Sequence, residues 1–289
     1  MAARASLFGY NAPMFEISEC LVLASQISTR VKGRTIAKAA TKNVEHKFVW
    51  HNLPPEEFSR LAKGRKVGES VVHGRWLAVS IEPGYVLLFG ECGGALRFEE
   101  AGAMRPDRYH LLLDFEDGSF LWARTAMWGA YELYEKGQEL ERQYVKDQRP
   151  SPAEARFTLE YFKGLVAELA RLGRRSAKSL LTQEQLIPGL GNAVAQDILF
   201  EARIAPKRDI GDLGAKEIRA FHEAIVGVVE RIAAAGGRYD ETDLLGKAGG
   251  YVRVMDKAAV KRPCPRCGGK VAQAQYLGGA IYWCPDCQV

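Results

Sequence analysis

Apolar and polar positions in the first half of the chain follow the short alternation that is typical of β-strands. Gly, Pro and Asp turns separate these runs, and strands are predicted at residues 70–81, 85–89, 110–115 and 119–123. Ahead of them, apolar residues recur at a helical period across residues 16–31. Short strands with regular turn signals predict a β-sandwich or barrel that one helix precedes.

The second half of the chain has the apolar period of helices. Ser151-Pro-Ala-Glu154 combines an N-cap serine, a proline at the first helical position and a glutamate three residues after the cap, which predicts a helix start. That helix is expected to end at Gly173. Further helices are predicted at residues 177–185, 193–202 and 215–235.

The C-terminal end carries two CxxC pairs, formed by Cys264, Cys267, Cys284 and Cys287. This spacing predicts a tetrahedral site for one structural zinc ion, with no open position for a catalytic water. Residues 270–276 and 281–283 alternate enough to form two strands, so a zinc-stapled β-hairpin is predicted. The alternative is a pair of disulfides, which suits a small secreted domain. It is disfavoured because the chain is long, no signal peptide is expected, and the only other cysteines are Cys20 and Cys92.

Composition and charge narrow the class of protein. The 289 residues have room for two domains and the hairpin, and no apolar run approaches membrane-spanning length, so no membrane partner is expected. The net charge of +5 is compatible with a polyanionic partner but does not identify one by itself. The basic residues cluster at the edges of the helical motif and around the first CxxC pair, which favours a nucleic-acid-binding face over an ordinary solvated surface.

A tight turn, Gly189-Leu-Gly-Asn192, directly precedes one of the short helices. Glycines allow the backbone to approach a ligand closely, and a helix N-terminus offers free N–H groups and the positive end of the dipole. Such a turn most often only connects two helices and binds no ligand. The nearby basic residues and the hairpin make phosphate binding at Gly191 and Asn192 the favoured interpretation.

Two segments resemble a known family. Lys178-Ser-Leu-Leu, with Ile187-Pro-Gly-Leu-Gly-Asn-Ala-Val-Ala-Gln-Asp-Ile-Leu-Phe200, is similar to the helix–two-turn–helix motif of the formamidopyrimidine-DNA glycosylase and endonuclease VIII family. Tyr276-Leu-Gly-Gly-Ala-Ile-Tyr-Trp-Cys-Pro-Asp-Cys-Gln288 is similar to that family's zinc finger. The resemblance covers about residues 14–289 and implies a clamp on duplex DNA that flips a damaged base out of the helix.

Pattern and resemblance together predict an α+β multi-domain protein. It would consist of an N-terminal β-sandwich with flanking helices, a helical helix–two-turn–helix domain and a C-terminal zinc β-hairpin. The expected boundaries are an extension at 1–14 ahead of the family's start, the sandwich at 15–135, a linker at 136–152, the helical domain at 153–240, and the connection with the zinc finger at 241–289.

The resemblance also implies chemistry that this chain does not fully match. In active members of the family an N-terminal proline attacks the sugar through its amine, and the glutamate after it handles protons. That start aligns with Phe15-Glu-Ile-Ser-Glu19, which places Phe15 at the nucleophile position and retains Glu16. A peptide nitrogen inside the chain is not nucleophilic, because it shares its lone pair with the carbonyl.

Other family positions are substituted as well. The lysine of the sandwich domain aligns with Arg75, and the methionine that fills the space of the flipped nucleotide aligns with Glu91. Trp128 lies in the region of the family's wedge, where it could still stack, and Ala280 replaces the arginine of the zinc finger. These substitutions indicate that the chemistry is altered.

Three functions follow from these observations. The first is a protein that binds damaged or distorted duplex DNA, or structured RNA, with the proline-dependent glycosylase and lyase chemistry lost or altered. The second is an active base-excision-repair glycosylase that removes oxidised bases, with Glu16 activating water; the simpler role of Glu16 is an acid at a helix start. The third is a protein-interaction module. The predicted nucleic-acid contacts are Lys178, Gly191, Asn192, Arg75 and Trp128, and the protein is expected to be a monomer in a bacterial cytoplasm.

The remaining aromatic and histidine side chains are expected to be structural. The five histidines show no ligand spacing with one another or with acids, so a second metal is not expected. Trp50, Trp76 and Trp122 are expected in the core and not as surfaces on which bases stack.

Overall fold

The computed structural model describes residues 15–91 and 93–289, so the predicted extension at residues 1–14 lies outside the described part of the chain. The described residues form two compact units. The first contains Phe15, Glu19–Lys146 and Asp240–Gly249, and the second contains Glu16–Ser18, Asp147–Tyr239 and Gly250–Val289.

The strands of the first unit form two sheets. In chain order they are β1 Ile36–Thr41, β2 Val49–Trp50, β3 Lys66–His73, β4 Trp76–Glu82, β5 Tyr85–Gly90, β6 Gly94–Glu99, β7 Leu111–Phe115, β8 Phe120–Thr125 and β9 Gly129–Glu135. One sheet has the order β1-β7-β8-β6 and the other has the order β2-β9-β5-β4-β3. Neighbouring strands are antiparallel except for β2 and β9, which run parallel.

Alternating side chains place the main apolar core between the two sheets. Leu87 and Phe89 of β5 belong to the same buried cluster as Leu113 of β7 and Leu121 of β8. The intervening Leu88 of β5 points to the other face of its sheet, where it packs in a second cluster with Trp76, Ala78, Val86, Ala130 and Val145. The predicted β-sandwich is therefore confirmed, and the outer face of its larger sheet is also partly covered.

One predicted strand was wrong, since residues 70–81 form parts of two strands. The chain reverses between His73 and Trp76, which face each other across β3 and β4, and Gly74 has a φ of +58°. The apolar pattern did not reveal the reversal, because the turn consists of Gly74 and Arg75 alone and an apolar run continues directly after it. Trp76–Ile81 is buried on both faces of the sheet, so it shows no alternation that would mark a new strand.

The first unit contains α2 Pro55–Ala62, α3 Gln143–Lys146 and, from Glu19 onwards, α1 Ile17–Gln26. The leading helix is confirmed, although its last part, Ile27–Val31, widens into a π-helical turn. The side chain of Gln26 in α1 fixes the segment Asp240–Gly249: its Nε2 donates to Asp243 Oδ2 at 2.8 Å, and its Oε1 accepts from the Leu244 N–H at 2.9 Å. Leu244 is fully buried in the sandwich core.

The second unit is helical, with one hairpin. Its elements are α4 Leu159–Arg171, α5 Ala177–Thr182, α6 Asn192–Ala202, α7 Ala215–Ala234, β10 Ala272–Tyr276 and β11 Gly279–Trp283. Phe162, Leu165, Val166 and Leu169 form the buried side of α4, and Phe221, Ile225, Val228 and Ile232 form that of α7. The predicted ends of both long helices are confirmed, with Gly173 in the left-handed region at a φ of +131°.

The predicted start of α4 was wrong. Ser151 does receive the capping contact, since its N–H donates to Glu154 Oε1 at 2.9 Å, but the contact closes an isolated turn. The helix begins seven residues further along the chain, where Thr158 Oγ1 accepts from the Tyr161 N–H at 3.1 Å. A capping hydrogen bond is local, so it forms whether or not a helix follows it.

Among the described residues, no helix combines the length and the apolar character that crossing a membrane requires.

Candidate nucleic-acid interface and metal centre

The four cysteines at the C-terminal end converge on one point. The Sγ atoms of Cys264 and Cys287 are 3.9 Å apart, those of Cys267 and Cys284 are 3.5 Å apart, and all four lie within 4.8 Å of one another. A tetrahedral ion with Zn–S bonds of about 2.3 Å requires sulfur atoms about 3.8 Å apart, so the four thiols fit a zinc ion. Four thiolates fill the coordination shell, which fits a structural ion.

The cysteine cluster supports a short hairpin of β10 and β11. Leu277 and Gly278 make its turn with φ values of +50° and +75°, as a tight hairpin turn between twisted strands requires. Ile281 is the one fully buried residue of β11, and the two strands pair from Ala272↔Trp283 to Tyr276↔Gly279. The hairpin buries little apolar surface of its own, so its position depends on the metal ligands and on contacts from the helices.

Helices α5 and α6 hold this hairpin by its backbone carbonyls. Lys178 Nζ donates to Tyr276 O at 2.6 Å, and Asn192 Nδ2 donates to Ala280 O at 3.2 Å. Gln196 contacts the same strand twice, as its Nε2 donates to Ala280 O at 2.9 Å and its Oε1 accepts from the Tyr282 N–H at 3.1 Å. Two residues predicted to bind phosphate, Lys178 and Asn192, therefore lie on either side of the hairpin turn.

Lys178 and Asn192 differ in exposure. The side chain of Lys178 is 1% exposed, and burial lowers the pKa of its ammonium group to about 8. Asn192 is exposed at the first position of α6. Phosphate binding by either residue stays a prediction. Of the two, only Asn192 presents its side chain to solvent without a change in structure.

Glu16 occupies the N-terminus of α6. Its Oε2 accepts from the Gly191 N–H at 2.7 Å and from the Val194 N–H at 3.3 Å, and its Oε1 accepts from the Ala193 N–H at 3.0 Å. Arg238 Nη1 lies 3.4 Å from Glu16 Oε1, and both side chains are at most 5% exposed. A carboxylate is well placed at this end of a helix, where orphan N–H groups and the positive end of the dipole meet.

This placement changes the interpretation of Glu16. The sequence suggested either a general base or an acid at the start of its own helix, and the structure shows that the carboxylate caps a different helix, α6. Phe15, at the family's nucleophile position, is 2% exposed and packs in the sandwich core.

Sequence reasoning missed two polar residues on α6. Besides Gln196, Asp197 is 3% exposed, and its carboxylate accepts from the N–H groups of Val254 at 2.9 Å and Met255 at 2.7 Å and from the Tyr251 hydroxyl at 3.0 Å. Burial raises the pKa of Asp197, although these three donors oppose the effect. The available signal was a polar pair, Gln196-Asp197, within an otherwise apolar helical run.

In the sandwich unit, two substituted positions contact each other. Arg75 Nη2 lies 3.0 Å from Glu91 Oε1, with the two side chains 14% and 27% exposed. The resemblance had placed a lysine and a methionine at these positions. Arg75 keeps the positive charge of the family's lysine, and the one new charge, the carboxylate of Glu91, pairs with it within the sandwich unit.

Trp128 belongs to an exposed aromatic stack. Its ring lies 4.4 Å from that of Phe48 and 5.9 Å from that of Trp50, with the two indoles only 16° from parallel. Trp128 is 42% exposed and Trp50 is 47% exposed, so the expectation that Trp50 is a core residue was wrong. Its strand has only two residues and lies at the edge of the sheet, which leaves the ring uncovered. Trp76, in contrast, is buried as expected.

Comparison with known proteins agrees with this architecture. The family model described as "Formamidopyrimidine-DNA glycosylase H2TH domain" matches residues 149–242. The chain is 27% identical to the formamidopyrimidine-DNA glycosylase of Roseiflexus sp. (strain RS-1). The alignment spans 282 residues, which are 95% of this chain and 100% of that protein. The chain is 28% identical over 241 residues to the enzyme of the same name from Listeria innocua, which covers 81% of this chain and 86% of that protein.

Solved structures have the same fold. The Lactococcus lactis protein named Fpg, in complex with DNA that contains an abasic site, superposes with a TM-score of 0.78 at 21% identity, covering 95% of this chain and 99% of that one. The MutM (Fpg) protein of Thermus thermophilus superposes with a TM-score of 0.77 at 23% identity, covering 94% of this chain and 98% of that one.

Proposed function

Since the chain belongs to the formamidopyrimidine-DNA glycosylase family, we propose that it binds double-stranded DNA at damaged or distorted sites and has lost the family's proline-dependent lyase chemistry. This proposal rests on the burial and the hydrogen bonds of two adjacent residues. Phe15, at the nucleophile position, is buried in the sandwich core, and the carboxylate of Glu16 is occupied by the N-terminus of α6. Neither residue is available for chemistry on a sugar.

DNA is favoured over RNA as the partner. The Lactococcus lactis relative was solved in complex with abasic DNA, and this chain has the same fold. The groups proposed to contact the phosphates are the exposed side chain of Asn192 and Lys178. The Gly191 N–H, the third contact that the sequence suggested on this turn, already donates to Glu16 Oε2 and is not among them. Phosphate contacts of this kind fix the position of a protein on a duplex without reading the sequence.

The metal in the cysteine cluster is proposed to be zinc. Its ligands would be the thiolates of Cys264, Cys267, Cys284 and Cys287, and its contribution is to hold the hairpin in a folded state. Lys178, Asn192 and Gln196 then fix the hairpin to the helices through the carbonyls of Tyr276 and Ala280. Loss of the metal would therefore weaken DNA binding by displacing the hairpin.

A monofunctional glycosylase with Glu16 as the base is the second hypothesis, and the geometry disfavours it. A general base must have a lone pair directed at the water that it activates. The two oxygens of Glu16 accept three backbone N–H groups, and Arg238 lies beside one of them. Freeing the carboxylate would leave the first turn of α6 without its cap.

The test uses the zinc-loaded protein and four labelled duplexes: intact DNA, DNA with one abasic site, DNA with oxidised bases, and an RNA duplex. We expect a gel shift that is strongest with abasic DNA, no adduct after borohydride reduction, and intact strands after heat and alkali treatment of DNA with oxidised bases. A borohydride-trapped adduct would refute the loss of lyase chemistry. Cleavage only after alkali would support the glycosylase hypothesis, and preferential binding of the RNA duplex would overturn the choice of DNA.

A further inference from the structure

A groove of about 300 Å³ lies beside the first cysteine turn, and all of its lining residues belong to the second unit. Its walls are aliphatic and consist of Val252, Val254, Ala259, Pro263, Pro265 and Val271. This volume is at the lower end of the range for ligand pockets, so the groove suits one or two apolar side chains. None of the proposed phosphate contacts or metal ligands lines it.

Two buried carboxylates fix the chain that forms the groove. Asp197 accepts from the N–H groups of Val254 at 2.9 Å and Met255 at 2.7 Å. Asp256 Oδ1 accepts from the Ala259 N–H at 2.9 Å. A partner that binds a groove already held in shape does not have to order it, and this favours affinity.

The groove has an exposed apolar edge above a buried apolar floor. Val252 at the edge is 63% exposed. Val271 belongs to the buried cluster that contains Cys264, and Val254 packs against this cluster. Exposed apolar surface that continues into a formed depression is typical of a site where another molecule docks.

The chain around the groove is basic. Residues 252–271 include a single acid, Asp256, and six basic residues, which are Arg253, Lys257, Lys261, Arg262, Arg266 and Lys270. Asp256 is 5% exposed and lies 3.5 Å from Arg262 Nη2, so its charge is used inside the fold. Lys257 and Lys261 are exposed and form no ion pair with another described residue. The groove therefore combines an apolar interior with positive surroundings, which are complementary to an acidic partner.

A protein segment fits these features better than a nucleic acid does. Proteins hold single strands by stacking the bases on aromatic side chains, and no lining residue of the groove is aromatic. The groove is also separate from the proposed phosphate contacts. Lys178 binds at Tyr276 beside the hairpin turn, and Val271 lies five residues earlier, about 17 Å away along an extended strand.

We propose that this groove docks a short acidic segment of a partner protein. One apolar side chain of the segment inserts among Val252, Val254 and Val271, and flanking carboxylates pair with Arg262 and the two exposed lysines, Lys257 and Lys261. Burial of the apolar side chain supplies affinity, and the charges supply selectivity and a fast association. The inference does not depend on the proposed function, because no nucleic acid takes part in it.

The test measures binding of the zinc-loaded protein to labelled hexapeptides by fluorescence anisotropy. Each peptide carries one leucine or phenylalanine among aspartates and glutamates. In one control set alanine replaces the apolar residue, and in another the amides replace the acids. We expect each control set to bind about tenfold more weakly, because it lacks one of the two kinds of contact. Equal binding of either control set, or no binding by any peptide, would overturn the proposal.

Two pairs of variants locate the binding on the protein. Val252→Asp should weaken binding of the acidic peptides about tenfold, and Val71→Asp on β3 should not, although that valine is 53% exposed as well. Arg262→Gln should also weaken binding, and Arg60→Gln on α2 is its control. If the members of a pair had equal effects, the peptides would bind elsewhere and the groove would not be the site.

Binding of abasic DNA separates this inference from the proposed function. Val252→Asp should bind the abasic duplex as the unaltered protein does, and saturating DNA should leave the peptide bound. Displacement of the peptide by DNA, or weaker DNA binding by this variant, would assign the groove to nucleic acid and refute the docking of a protein segment. A protein that bound the acidic peptides but not abasic DNA would refute only the proposed function.

Discussion

The carboxyl group of Glu16 lies where a side chain on Gly191 would have to stand. Its Oε2 accepts from the Gly191 N–H at 2.7 Å, and a Cβ on residue 191 would come within 2.7 Å of the same carboxyl group. The backbone at Gly191 is extended, with a φ of −132°, so any residue could adopt this conformation. Glycine is needed here for space, because it allows the carboxylate to reach the first N–H groups of α6.

Gly191→Ala should therefore destabilise the second unit without straining the backbone. The new methyl group would push Glu16 away from the N–H groups of Gly191, Ala193 and Val194, and overpacking of this kind lowers the free energy of unfolding by about 1–3 kcal/mol. Thermal and urea unfolding would measure the loss. DNA binding at temperatures well below the transition should fall as well, because the same turn carries Asn192.

Gly164→Ala is the matched control for this substitution. Gly164 lies inside α4, and a Cβ at this position meets nothing within 4 Å. Removing a glycine from a helix interior should raise the free energy of unfolding by roughly 0.5–1 kcal/mol. If both variants changed stability in the same direction, the close approach of Glu16 would not be the reason for glycine at residue 191.

Cys264→Ser should release the metal and free the hairpin. We expect one equivalent of zinc in the unaltered protein, and almost none in the variant, because a three-thiolate site loses most of its affinity. The sandwich unit should keep its stability, and DNA binding should weaken. Metal analysis together with a gel shift would measure both effects.

Cys20→Ala provides the control for loss of a thiol that is not part of the cluster. Cys20 is a buried cysteine in α1, so this variant should retain a full equivalent of zinc. Reduced protein that contained no zinc from the start, or a Cys264→Ser variant that kept it, would refute the assignment of the metal site.

The elements of the helical unit were largely predictable, whereas the contacts between them were not. A single apolar period identifies α6, but it cannot show that Gln196 and Asp197 point to two different segments, one to β11 and one to residues 251–255. Those partners are 54 to 86 residues away in the sequence, so only the folded chain brings them together. Polar residues within a buried helical run are the signal that such contacts exist.

The sequence predicted the fold class of the first unit, a β-sandwich, but it did not predict which strands pair with each other. Four short strands, β1, β2, β6 and β9, were not identified, and the Arg75–Glu91 pair follows from the hairpin that joins β3 and β4, which the sequence pattern concealed. The cysteine-bearing hairpin was the opposite case. Its four cysteines lie in two local turns, so their spacing alone identified them as a cluster that could hold a metal ion.

His110 should make the sandwich unit sensitive to acid. Its Nδ1 accepts from the Thr125 N–H at 2.8 Å, and burial, followed by the neighbouring His46 and His51, lowers its pKa from 6.5 to about 4. The unfolded chain binds this proton more readily than the folded chain does. Stability is therefore fully present above about pH 6.5 and falls as the pH decreases towards 4, by up to roughly 3 kcal/mol.

His110→Asn tests this origin of the acid sensitivity. The Oδ1 atom of asparagine can accept from the Thr125 N–H, and the side chain does not titrate. Unfolding experiments between pH 7 and pH 4 should show a shallower loss of stability in the variant, with a residual slope from His51, whose pKa burial also lowers. Parallel curves for the two proteins would show that protonation of His110 is not coupled to unfolding.

Lys178→Met distinguishes a phosphate contact from a purely structural lysine. If Nζ contacts a phosphate, the variant should bind DNA more weakly on every sequence, and the slope of log K against log salt should decrease by about one. If Lys178 only holds Tyr276 O, affinity should fall with an unchanged slope. Lys163→Met on α4, where the lysine pairs with Glu160, is the control for the loss of one charge.

The final prediction concerns the position of the missing nucleophile. A chain that begins at residue 15 with Phe15→Pro would present the secondary amine that the family uses. Phe15 is 2% exposed in the sandwich core, so its replacement should lower the free energy of unfolding by about 3–5 kcal/mol. Glu16 would still be occupied at α6, so its carboxylate would not be free to transfer protons to or from the amine.

We therefore expect no borohydride-trapped adduct between this variant and abasic DNA. A chain that begins at residue 15 with Phe15→Ala is the matched control, because it loses the same packing and gains only a primary amine. An adduct from the proline variant alone would mean that the site is intact and lacks only its nucleophile. An adduct from the unaltered chain would mean that another amine attacks the sugar, and the buried Lys178, whose pKa is lowered to about 8, would be the first residue to replace.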